Sequence, residues 1–151
     1  DEYCGGIRKG HRLKAVIAGG SSVPILPADL FYKTAEGEAR GMSYESLSIG
    51  GFASGTMLGS GGFIAMDETV CIVRNLWNLT RFYHHESCGQ CSPCREGTGW
   101  MEKVLHRIEH GHGRMHDIDL LVSVAKNIEG NTICPLGDAA AWPVASENAG
   151  W

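Results

Sequence analysis

Apolar and polar positions along the chain change period once, near residue 67. Before that point the pattern is one of short strands and turns. Leu13–Ala18 is a strand-like run that ends at Gly19-Gly20, and residues 23–26 form a second apolar stretch, interrupted by Pro24 and closed by Pro27. Such strands suit edges or turns, because proline cannot donate to a sheet ladder. Residues 43–49 read as one short helix. Gly50, Gly51, Gly55, Gly59, Gly61 and Gly62 then punctuate the chain before the apolar run 63–66. The first part is therefore read as a small α+β module.

From residue 67 onward the spacing is helical. Ile72, Leu76, Leu79 and Tyr83 recur at helical intervals, with Asp67 placed to cap the start. A second helix follows a cysteine cluster. Ser92 is its expected cap, Pro93 fits the first helical position, and Trp100, Met101, Val104, Leu105 and Ile108 make one apolar stripe before Gly111. A third helix is predicted over residues 117–129, with Ile118, Leu121, Val122 and Ala125 on its apolar face and Gly130 at its end. A fourth begins after Pro135, and Pro143 kinks or restarts it. Four helices with short connections suggest a bundle.

Composition narrows the function classes. The chain has 151 residues, 43% hydrophobic and 20% charged, with a formal net charge of -4, which excludes a disordered tail. Twenty-one glycines imply tight turns or close backbone approaches. A pI near 6.0 and scattered Lys and Arg argue against a nucleic-acid partner. No apolar run approaches the ~18 residues that cross a bilayer, so direct membrane insertion is not expected. The chain opens without an initiator Met and in mid-pattern, and is expected to be a fragment of something longer.

The most informative stretch is Cys88-Gly89-Gln90-Cys91-Ser92-Pro93-Cys94. Three thiolates at successive gaps of two residues can wrap one corner of a cuboidal iron–sulfur cluster, each on a different iron. The remaining iron needs a distant ligand, and Cys134, followed by Pro135, is the natural candidate. Iron in such clusters prefers soft thiolates, and the assembly carries a net charge of about -2 oxidised and about -3 reduced. That charge needs donors around it. The open N–H groups and positive dipole end of the second helix, with Arg95 as a cation, are the expected sources, and Gly89 lets amides approach sulfur. Zinc sites more often use two separated Cys-x2-Cys knuckles, whereas the two pairs here share Cys91. Zinc, disulfides and unrelated buried thiols remain the alternatives. Cys71, on the first helix, is read as a small core residue, and Cys4 as equally unremarkable.

Other candidates are weaker. His106 and His110 stand one turn apart on the face opposite the Trp100 stripe, which reads as a solvated polar face rather than a metal pair. His84-His85 precede the cysteine loop and are read chiefly as surface or helix-end packing, with an influence on the cluster as the alternative. Ser21, Ser22 and Ser60 lie in glycine loops without a nucleophile elbow. The glycine-rich stretch 50–62 lacks both the P-loop Lys and dinucleotide spacing. An electron carrier is legible, and no catalytic residue is assigned.

The segment Glu86-Ser87-Cys88-Gly89-Gln90-Cys91-Ser92-Pro93-Cys94-Arg95-Glu96-Gly97-Thr98-Gly99-Trp100-Met101 closely resembles the iron–sulfur signature of the flavoprotein subunit of respiratory complex I, the NADH-quinone oxidoreductases. Thr132-Ile133-Cys134-Pro135-Leu136-Gly137-Asp138 looks like the segment that brings that family's last cluster ligand. Upstream, Leu13-Lys14-Ala15-Val16-Ile17, Gly19-Gly20-Ser21-Ser22-Val23-Pro24 and Met57-Leu58-Gly59-Ser60-Gly61-Gly62 look like its soluble-ligand-binding β-grasp module.

The resemblance implies an α+β part followed by an all-α part. Residues 1–66 would form a ubiquitin-like β-grasp module, with residues 1–10 a candidate for the end of a flavin domain, and residues 67–151 a four-helix bundle. It implies one [4Fe-4S] cluster on Cys88, Cys91, Cys94 and Cys134. It also implies the reaction: NADH reduces FMN, and the cluster draws single electrons from the flavin toward quinone. The FMN and NAD sites would lie upstream, so the fragment alone should not oxidise NADH. Implied partners are the chain's own flavin domain and other peripheral-arm subunits, at the cytoplasmic face of a bacterial inner membrane or the mitochondrial matrix side. The β-grasp half would offer an interaction surface. Trp100 and Trp142 are expected to keep water from the cluster. Two alternatives stay open: the diaphorase subunit of a NAD-linked hydrogenase or formate dehydrogenase, and a zinc-stabilised interaction domain.

Overall fold

The computed structural model describes residues 4–29 and 56–146, so the short helix expected over 43–49 and the glycines at 50, 51 and 55 lie outside the described residues. The chain divides into two compact units, one ending at Val70 and the next starting at Cys71. Among the described residues the first holds an antiparallel sheet of three strands, β1 (Leu13–Ala18), β2 (Leu26–Pro27) and β3 (Phe63–Asp67), in the order β2-β1-β3. The second holds four helices, α1 (Ile72–Glu86), α2 (Ser92–Glu109), α3 (His116–Ile128) and α4 (Leu136–Ala141).

The prolines place β2 as expected: it is a two-residue edge strand ending at Pro27. β1 is instead the central strand, and it carries the buried run Ala15, Val16, Ile17 and Ala18. A continuous apolar run of this kind suits a strand flanked by partners on both edges. Past β1 the chain turns through Gly19 and Gly20, whose N–H groups both donate to Gly62 O at 2.8 Å, and Ser60 N returns a bond to Gly19 O at 3.0 Å. Gly19 has φ +129° and Gly59 φ +46°, and a Cβ on Gly59 would overlap Gly19 O. Only glycine fits this approach.

Asp67 does not cap α1. It closes β3, opposite Leu13, and is almost buried. Its carboxylate accepts from Thr69 Oγ1 at 2.5 Å, Thr69 N at 2.9 Å and the Arg8 guanidinium at 2.6 and 2.9 Å. Those donors, those of Thr69 foremost and then Arg8, hold the acid well below the usual carboxylate range. Residues 68–70 also bond back to the sheet, through Glu68 N to Arg12 O at 3.0 Å and Lys14 Nζ to Val70 O at 2.5 Å. The strand-like unit thereby extends past residue 66.

α1 starts a turn later than the sequence suggests, with Cys71 as its N-cap and no side-chain cap. Cys71 is exposed, its Sγ 3.6 Å from Glu109 Oε2, and so is not a core residue. α2 packs against each of the other three helices. The core between them contains Tyr83, Met101, Val104, Leu105, Leu121, Val124, Ala125, Ile128, Ala140 and Ala141. Trp100 and Ile118, expected on apolar faces, are 55% and 61% exposed. The inward stripe of α2 runs through Gly97, Met101, Val104 and Leu105, and that of α3 through Leu121, Val124, Ala125 and Ile128. Met101, Val104, Leu105, Leu121 and Ala125 face inward as expected, whereas Trp100 and Ile118 do not, because Gly97 and Thr98 are small enough to sit at the contact and Trp100 is not. The turn between α2 and α3 is fastened by the fully buried Asp117, which accepts from the Arg107 guanidinium and from Arg114 N at 2.8 Å. α4 ends before Pro143, which is buried in the following turn.

Candidate metal centre

The candidate site is built where α1 ends. Ser87 closes that helix, its N–H donating to Tyr83 O at 3.0 Å, and Gly89, at φ +80°, turns the chain toward α2. Cys91 is the N-cap of α2 but makes no side-chain capping bond, so its sulfur is not engaged by its own helix. Pro93 stands in the first turn, where a missing N–H costs nothing. The cysteines differ in access: Cys88 is exposed, Cys91 half-buried, Cys94 buried and Cys134 exposed, and none is in a disulfide.

The loop that carries the distant cysteine meets the cysteine loop at Ile133, the residue before Cys134. Ile133 N donates to Cys91 Sγ at 3.4 Å, joining the loop between α3 and α4 to the cysteine loop. Three contacts shape the Cys134 loop. Thr132 Oγ1 donates to Cys134 O at 2.9 Å, and Gly130 N donates to Asp138 Oδ1 at 2.7 Å. Gly137 lies so close to Thr132 that a Cβ there would come within 2.5 Å of its Oγ1. On the other side of the site, Ser87 Oγ stands 3.3 Å from Cys94 Sγ.

Among the described residues, no group of three or more His, Cys, Asp or Glu side chains is placed to hold a single metal ion. A cubane makes a different demand, one thiolate for each iron. The residues fit that demand by donor chemistry, four unpaired soft sulfurs, and by the contact of Cys91 with Ile133. The first turn of α2 has no acidic residue, so its positive dipole end is available to a negative group. Arg95 contributes less charge than expected. Its guanidinium donates to Gly89 O at 2.6 Å, to Ser92 Oγ at 3.3 Å and to Glu96 Oε1 at 2.9 Å, which makes it a brace of the loop already paired with an acid.

Trp100 is too exposed to seal the site. Trp142 is half-buried and donates through Nε1 to Glu129 Oε1 at 2.6 Å. His84 pairs with Glu102 at 2.6 Å. His106 and His110 are exposed but not simply solvated. Their rings stack with centroids 4.0 Å apart, and both meet Trp77 edge-on. Two contacts at the thiols lie outside the sequence reading. Ile133 acts through its backbone and leaves no side-chain signal, whereas Ser87 could have been noticed as a hydroxyl beside the first cysteine.

Residues 74–148 match the family model described as NADH-ubiquinone oxidoreductase-F iron-sulfur binding region. The helical unit thus corresponds to that iron–sulfur binding region. The chain as a whole is similar to NADH-quinone oxidoreductase F subunits. It is 50% identical over 95% of its length to the F subunit of Rickettsia bellii (strain OSU 85-389), and 48% identical over the same share to the first F subunit of Rhizobium meliloti (strain 1021). The chain spans about a third of those relatives, 32% and 31% of their lengths. It also resembles a NAD+-reducing [NiFe]-hydrogenase solved in the H2-reduced state, with a TM-score of 0.69 and 28% identity, over 89% of this chain and 21% of that one. Among the described residues no helix is long and apolar enough to cross a membrane.

Proposed function

We propose that the chain is an electron-relaying part of an NADH-quinone oxidoreductase, in which Cys88, Cys91, Cys94 and Cys134 hold one [4Fe-4S] cluster. When bound, that cluster supplies one-electron transfer between reduced FMN and further carriers leading to quinone. FMN and NADH are bound elsewhere in the full-length protein, so this chain alone does not oxidise NADH. Its own residues hold and position: α2 presents Cys91 and Cys94 at its N-terminus, Gly89 turns the loop, and Thr132 and Gly137 shape the Cys134 loop. No proton needs to move, so no general acid or base is assigned.

The observation that carries this reading is the Ile133 N–H to Cys91 Sγ bond, which joins the loops of two sequence-distant cysteine motifs. The sheet unit is read as a β-grasp module that offers a surface to the flavin domain or a neighbouring subunit. Peripheral-arm subunits are the partners in this reading, at the cytoplasmic face of a bacterial inner membrane or its mitochondrial matrix counterpart. The likeness to a NAD+-reducing hydrogenase favours, as a second reading, a diaphorase role with the same cluster and a different acceptor. The higher identity to the quinone-linked relatives favours the first.

Anaerobic reconstitution with iron and sulfide, followed by EPR of the dithionite-reduced chain, tests the cluster. A brown protein with broad absorption near ~400 nm and a reduced-state signal is expected. Replacing Cys134 with Ser should abolish or alter that signal. A colourless protein that binds stoichiometric zinc and takes up no iron would replace this reading with the zinc-stabilised domain.

A further inference from the structure

We propose that Ser87 is a positioning residue that sets the reduction potential of the cluster by donating its hydroxyl hydrogen to Cys94 Sγ. The inference rests on the cluster reading above and deepens it. Ser87 Oγ lies 3.3 Å from Cys94 Sγ, within the range for a hydrogen bond to sulfur. Between a free thiol and a hydroxyl either atom could donate. A sulfur bound to iron as thiolate carries no hydrogen, so in the loaded protein only Ser87 can donate.

Two features make this contact specific. Ser87 is held at its backbone, because its N–H caps α1 through Tyr83 O at 3.0 Å, which limits the orientations open to its short side chain. The acceptor is equally fixed. Cys94 is buried at 7% exposure, and its carbonyl accepts from Thr98 Oγ1 at 2.7 Å. Water has poor access to that sulfur, so a protein donor there is not easily replaced by solvent. The half-buried Cys91 receives its own donor from Ile133 N, which a side-chain substitution cannot remove. Ser87 is therefore the donor open to genetic test.

Reduction adds one electron and moves no atom. The added charge spreads over the thiolate sulfurs, so a hydrogen bond to one of them is stronger in the reduced state and raises the potential. Removing the hydroxyl should lower it. The expected change is a threefold to tenfold fall in the one-electron reduction constant, the tenfold limit being about 59 mV.

The experiment is an EPR-monitored redox titration of the reconstituted full chain, comparing wild type, Ser87→Ala and Ser87→Thr. Support is a lower midpoint for Ser87→Ala with a wild-type midpoint for Ser87→Thr, at equal iron content. An unchanged midpoint in Ser87→Ala at full cluster content overturns the role of Ser87 and leaves the cluster reading intact. Wild-type chain that forms no cluster overturns both. If Ser87→Ala takes up no cluster, Ser87→Val against Ser87→Thr makes the same comparison between side chains of one shape. A lower midpoint for Val then supports the proposal and equal midpoints overturn it.

Discussion

Ile133 and Cys91, 42 positions apart in sequence, meet through a backbone N–H to sulfur bond of 3.4 Å. The contact depends on how α3 and α4 seat on α2, so the packing of that corner bears directly on the site. Ile128 is its central side chain. It is 1% exposed, and it fills the space left by two glycines, Gly97 on α2 and Gly137 on α4.

Alanine at either glycine should therefore loosen the corner. A Cβ on Gly97 would stand 2.7 Å from Ile128 Cδ1 and Cγ1, and one on Gly137 would stand 2.5 Å from Thr132 Oγ1 and 3.1 Å from Ile128 Cγ2. Overpacking of this kind costs about 1–3 kcal/mol, against a gain in helix propensity of up to about 1 kcal/mol. Chemical denaturation of Gly97→Ala and Gly137→Ala should show net destabilisation. Gly137→Ala, whose Cβ also presses on Thr132, should in addition retain less iron after reconstitution. Wild-type stability in both variants would contradict the packing described.

Trp100 and Met101 are adjacent on α2 yet face opposite environments, 55% and 0% exposed. Met101→Ala should cost about 2–5 kcal/mol in urea unfolding, the usual range for emptying a closed core site. Trp100→Ala should cost under about 1 kcal/mol. A cost for Trp100→Ala as large as that for Met101→Ala would restore the stripe that the sequence alone suggests.

Acid should weaken the helical unit through Asp117. The Arg107 guanidinium, foremost, and Arg114 N lower its pKa in the folded state, overcoming the opposing effect of burial. A depressed folded value means that the contribution is complete above the unfolded value, near 3.8, and is lost as pH falls below it. The melting temperature should be insensitive to this group from pH 5 to 7 and drop below about pH 4. Asp117→Asn should melt lower at neutral pH and show a flatter acid limb. An identical acid limb in the variant would remove Asp117 from the account.

In the sheet unit, Gly19→Ala and Gly59→Ala should each destabilise by more than the ~1 kcal/mol typical of a strained left-handed position, because the new Cβ meets backbone. At Gly19 it would stand 2.5 Å from Met57 O, and at Gly59 it would overlap Gly19 O. Amide exchange of Val16 and Ile17 in β1 reports this loss directly.

Much of the helical unit was legible because its punctuation is strong. Pro93, Gly111, Gly130 and Pro135 mark ends that the structure places within a residue or two. The cysteine spacing was legible for the same reason, since it is local. What failed was rotation of the faces. Hydrophobicity alone counts Trp100 and Ile118 as core, whereas packing chose Gly97, Thr98 and Ile128, whose size and shape fit the neighbouring helix. Asp67 misled because an acid before a helical pattern resembles a cap. Its partners, Arg8 and Thr69, are supplied by tertiary structure. The link from Cys91 to Ile133 runs through a peptide N–H, which every residue but proline possesses, so no residue type could have announced it.

The four cysteines of the proposed ligand set differ in their access to solvent. Cys94 is shielded while Cys88 and Cys134 face solvent. Alkylating or oxidising reagents therefore reach Cys88 and Cys134 first, so chemical damage begins at the two ends of the proposed set and spares Cys94.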